Sequence, residues 1–103
     1  MLRRRRFVEL VQRQLDLFEA DEAPLLAEAQ AAEEAWRRAH REEAEELYGD
    51  YQLVVDALAE RLYDVREAYA ASLDAESAEA YRAAFDRAAR KRFRRYAGLL
   101  GVE

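Results

Sequence analysis

The chain has 103 residues, a net charge of -5, no cysteine, three glycines and one proline. Twenty-two residues are Ala, Ile, Thr and Asn are absent, and Val, the sole β-branched residue, occurs six times; this is helix-forming material and it excludes a β or α/β fold. Without cysteine there is no disulfide framework, thiolate metal site or catalytic thiol, which fits a reducing compartment, and only one His is present.

The four arginines Arg3 to Arg6 open the chain, but Phe7-Val8-Glu9-Leu10-Val11-Gln12-Arg13 interrupts any apolar region an export signal would need. No apolar run approaches the ~20 residues that cross a bilayer. The expected setting is therefore cytoplasmic, away from membranes. Val8, Val11, Leu15 and Phe18 recur at steps of three and four and predict a first amphipathic helix over about 2–20. It should stop at Asp21-Glu22-Ala23-Pro24, because proline is accepted in a first helical turn and not in an interior.

From Pro24 onward the apolar stripe keeps its phase. Leu47, Tyr51, Val54, Leu58, Leu62, Val65, Tyr69 and Leu73 step by three or four, with Leu26, Ala29, Trp36 and Ala39 continuing it upstream. This predicts one long helix over 24–72, with Gly49 as the place where it bends, since a glycine inside a helix costs only about 1 kcal/mol. The rival is a chain reversal at Gly49-Asp50, which would give a four-helix bundle. Asp74 then caps a third helix over 75–98, whose stripe is Tyr81, Phe85, Ala88, Ala89, Phe93, Tyr96 and Leu100, and which Gly98 and Gly101 end.

The expected fold is thus an all-α helical bundle, a long central helix flanked by two shorter antiparallel ones. A central helix of that length would extend roughly 70 Å. With each half only two helices thick and both chain ends arriving near its middle, the stripe Leu47, Tyr51, Val54, Leu58, Leu62, Val65 and Tyr69 stays open unless a second chain covers it. A homodimer follows as an expectation, and a non-enzymatic self-association or adaptor module as the function.

Charge is segregated along the sequence: residues 1–15 and 81–103 are basic, and 16–80 are acidic. Tyr48, Asp50, Arg90, Arg92, Arg94 and Arg95 are the residues expected to meet a partner, since the basic ends should converge on the Tyr48-Gly49-Asp50-Tyr51 segment. Arg90 to Arg95, interleaved with Phe93 and followed by Tyr96, also raises nucleic-acid binding as an alternative, against which stands the acidic isoelectric point near 5.0. A second alternative is a carboxylate-rich metal-binding bundle using Glu33, His40 and Glu43. The order His40-x-x-Glu43 reverses the Glu-x-x-His of helical di-iron sites, however. Ser72 and Ser77 read as capping residues, and no motif calls for a cofactor or a catalytic group. Tyr48-Gly49 lacks the Trp-x-Gly of WXG-type helical hairpins, and nothing is carried over from them.

Overall fold

In the computed structural model, which describes residues 6–100, these residues form helices and no strand. They are α1 (Val8–Asp21), α2 (Ala23–Arg37), α3 (Arg41–Ala70), α4 (Ala75–Arg92), a 3-10 turn (Arg94–Tyr96) and a short α5 (Ala97–Leu100). Arg3, Arg4, Arg5 and Gly101 lie outside the described residues. The all-α bundle is confirmed, and its long central helix is α3.

Two corrections concern the centre. The helix expected over 24–72 is interrupted at Arg38, Ala39 and His40, where His40 takes an extended conformation (φ -74°, ψ 160°) and starts α3. Gly49 does not reverse the chain; it lies inside α3. The break arises because α2 and the first half of α3 each carry one apolar face, and reversal buries the two against each other. Trp36 stacks on Tyr51 with ring centroids 5.9 Å apart and also meets Tyr48 at 4.9 Å. A continuous helix would leave both faces in water, a larger loss than a few backbone hydrogen bonds.

Side-chain contacts fix the topology. Glu22 pairs with Arg61 and Trp36 with Tyr48, so α2 runs antiparallel to α3. Arg66 meets Asp86 and Glu67 meets Arg82, so α4 is also antiparallel to α3. Phe7 packs on Tyr81 and Phe18 on Phe93, which makes α1 parallel to α4. Helices α1 and α2 therefore point the same way, joined at Glu22 just before Pro24, as the proline position predicts. Asp74 caps α4 by accepting the Ser77 backbone N–H at 2.9 Å.

The result is three helices thick at one end and two helices plus the C-terminal turn at the other. Its longest dimension is 51 Å, too short for a 70 Å spine. Only the C-terminal segment reaches mid-length. Arg6 lies beside Glu76, Ser77 and Ala80 at the far end, away from Glu42 to Asp50. The core runs through both halves: Val11, Leu15 and Phe18 of α1, Val55, Leu58 and Leu62 of α3, and Tyr81, Phe85 and Ala89 of α4.

Candidate interaction surfaces

The apolar stripe of α3 is spent within the chain. Tyr51, Leu58 and Leu62 are buried, and Leu47, Val54, Val65 and Tyr69 are half-buried. The expectation that it stays open for a second chain is overturned, because the reversal at 38–40 lays α2 over its first half while α4 and α5 cover the rest.

The Tyr48 to Tyr51 segment does meet the C-terminal arginines, around a group not expected to be central. The Glu33 carboxylate, 3% exposed, lies between α2, α3 and the C-terminal turn. Arg95 donates to its Oε1 through Nε at 2.9 Å and through Nη2, and Arg37 donates to Oε2 at 3.2 Å. The guanidinium groups stay half-exposed or more, so most of the desolvation falls on the carboxylate. Tyr51 and Tyr96 lie beside it, 6.2 Å apart, with Arg95 over the Tyr96 ring and Trp36 and Tyr48 packed on Tyr51. Burial, with the Glu33 charge second, pushes the Tyr51 phenol above its ordinary range, and burial does the same to Tyr96. Both Glu33 carboxylate oxygens are engaged by arginines. It pins the C-terminal turn to the α2–α3 hairpin.

The remaining partner candidates separate. Arg92 turns inward and donates to Asp16 at 2.7 Å and to Glu19 at 3.2 Å on α1. Asp50, Arg90 and Arg94 face water. The basic run is thus split: Arg92 and Arg95 belong to the fold, whereas Arg87, Arg90 and Lys91 are exposed on α4 and Arg94 is exposed in the 3-10 turn that follows it. None of these four makes an ion pair with a described residue.

Helix α3 presents the opposite charge. Glu42, Glu46, Asp50, Asp56, Glu60 and Asp64 are exposed on the side away from its core face, again without an ion pair to a described residue. Leu53, 69% exposed, and Tyr63 stand among them.

Two concave features accompany these stripes. A cleft of about 290 Å³ between α3, α4 and α5 is lined by Tyr63, Arg66, Asp86 and Leu100. Arg66 and Asp86 are already satisfied there, since Arg66 donates to Asp86 at 2.7 and 2.9 Å and to Glu67 at 2.9 Å, and Glu67 in turn accepts from Arg82. The Arg82 bond, followed by that of Arg66, holds the Glu67 carboxyl below its ordinary value. The second is a groove of about 220 Å³ between α1 and α4, with Val8, Val11, Ala84 and Ala88 along it and Arg87 and Lys91 on its edge.

The metal constellation comes apart. Glu33 is held by two arginines, His40 sits exposed at the reversal and Glu43 follows on the first turn of α3. Among the described residues no group of three or more His, Asp or Glu side chains is placed to hold a metal ion. None of the described helices is long and apolar enough to cross a membrane. No protein-family model matches this chain, and neither the curated proteins nor the solved structures contain a significant match to it.

Proposed function

We propose that the chain is a non-enzymatic helical module that acts by self-association, in a cytoplasmic setting that suits a protein without cysteine. The supporting observation is the charge left over after folding. Internal pairing uses Arg61, Arg66, Arg82, Arg92 and Arg95, yet the carboxylate ridge of α3 and the cationic stripe of α4 keep their charges facing water. Surfaces of opposite sign on one chain attract between copies, and salt weakens that attraction. Light scattering across a salt series tests it. A mass of two or more chains at low salt, falling towards 12.0 kDa as salt rises, is expected; 12.0 kDa at every salt concentration removes the proposal.

One observation favours a second reading. Arg87, Arg90 and Lys91 near the end of α4 and Arg94 in the turn after it form an exposed cationic run, which suits a phosphate backbone. Changing all four to Ala should abolish salt-sensitive binding of single- or double-stranded DNA or RNA in fluorescence anisotropy; no binding by the unaltered chain at low salt removes this reading.

A further inference from the structure

Resting on the self-association proposed above, we infer that the contact is made between unlike surfaces: Leu53 on α3 of one copy enters the α1–α4 groove of another. The groove exists because α1 and α4 run side by side and meet through small residues. Ala84 and Ala88 of α4 face Val8 and Val11 of α1, and Val8 remains 46% exposed at the mouth. Apart from Gln12 the α1 and α4 residues between them are apolar, and Arg87 and Lys91, one turn apart on α4, complete the lining.

Leu53 is its complement in shape and charge. It is the most exposed large hydrophobic residue of those described. Asp50 and Asp56 bracket it one turn away on either side, both exposed. An aliphatic side chain flanked by two carboxylates fits an apolar groove edged by two cations. Seating it removes the exposed Leu53 and Val8 from water together and brings unpaired charges of opposite sign within reach. One copy cannot satisfy itself, because both surfaces lie on the outward faces of their helices. Hence the occupant is a second copy, in a contact that closes reciprocally in a pair or repeats along an open chain.

Two variants test the pairing, each altering only exposed positions, with circular dichroism confirming that helicity is retained. Leu53→Lys disables the inserted residue and leaves the groove intact. The double change Arg87→Glu and Lys91→Glu does the reverse. Each alone is expected to scatter as a 12.0 kDa monomer. Mixed, they are expected to form a one-to-one complex and nothing larger, because one intact surface remains on each. A wild-type assembly whose mass neither variant changes overturns this contact while leaving self-association standing. Monomeric variants that stay apart on mixing also overturn it, since Leu53 and the groove would then serve different partners. A monomeric wild type removes both the contact and the function on which it rests.

Discussion

Leu58 and Leu62 expose only 1% and 4% of their surfaces, within the hydrophobic core. Changing both to Asp puts two unpaired carboxylates into the interior, at a cost of several kcal/mol each against a total stability of about 5–15 kcal/mol. The expected outcome is loss of far-ultraviolet helical signal. A folded monomer in place of a wild-type oligomer would instead return these leucines to an intermolecular interface. Tyr81 carries the clearest pH dependence. Burial pushes its phenol up to about 12, and the phenol donates a hydrogen bond to Gln14 Oε1. The unfolded chain titrates near the ordinary 10.0, so the folded state retains the proton over that interval. Stability is then fully present below pH 10 and lost as pH rises from 10 towards 12. Tyr81→Phe should be less stable than wild type at pH 7 by about 0.5–1.5 kcal/mol, the worth of the lost hydrogen bond. Its further decline between pH 10 and 12 should be shallower, as read by urea denaturation at each pH. An equal decline would show that Tyr51 and Tyr96 carry the alkaline transition.

The helix-scale expectation with most at stake is Gly49. A Cβ built there meets nothing within 4 Å, and the backbone is not left-handed. Gly49→Ala should therefore stabilise α3 by up to about 1 kcal/mol. His40 is the contrasting position: it caps α3 in an extended conformation without a side-chain hydrogen bond. His40→Ser supplies the missing acceptor and should add about 1 kcal/mol. Thermal melts of the two variants decide where the chain turns, because a destabilising Gly49→Ala would restore Gly49 as the joint. The real turn was hard to read. Arg38, Ala39 and His40 are all helix-compatible, with no glycine or proline to mark them, and packing of Trp36 on Tyr51 selects the break. One signal was present: between Trp36 and Leu47 there is no large apolar residue, so a continuous helix there would have had no face to bury. Pro24 and Asp74, by contrast, act through local chemistry, and the ends they set are where the sequence places them.

Across the whole molecule, composition was enough for the all-α class, but the pairing of helices was not. A radius of gyration of 15.6 Å, against roughly 13 Å for an average compact chain of this length, reflects α3 projecting beyond the three-helix end. Charge was legible only as blocks along the sequence. Folding sorts residues within a block, so neighbours such as Lys91 and Arg92 end in solvent and in an ion-paired network. Of the expected partner residues, Tyr48 and Arg95 join the Glu33 cluster, and Arg92 is bound to α1. That Glu33 would be buried followed from tertiary placement, although its i,i+4 pairing with Arg37 was readable.

The parallel run of α1 and α4 has an electrostatic effect of its own. Two helix N-termini, each carrying a partial positive charge of about one half, stand beside the single negative C-terminus of α3, so the backbone at that end is left with roughly +0.5. Glu9 lies in the first turn of α1, Asp74 caps α4 and Glu76 lies in its first turn, where carboxylates offset that excess. The acids at this end answer to the peptide dipoles, as Glu42 does in the first turn of α3, whereas the ridge from Asp50 to Asp64 lies along the middle of α3 with no helix terminus to compensate.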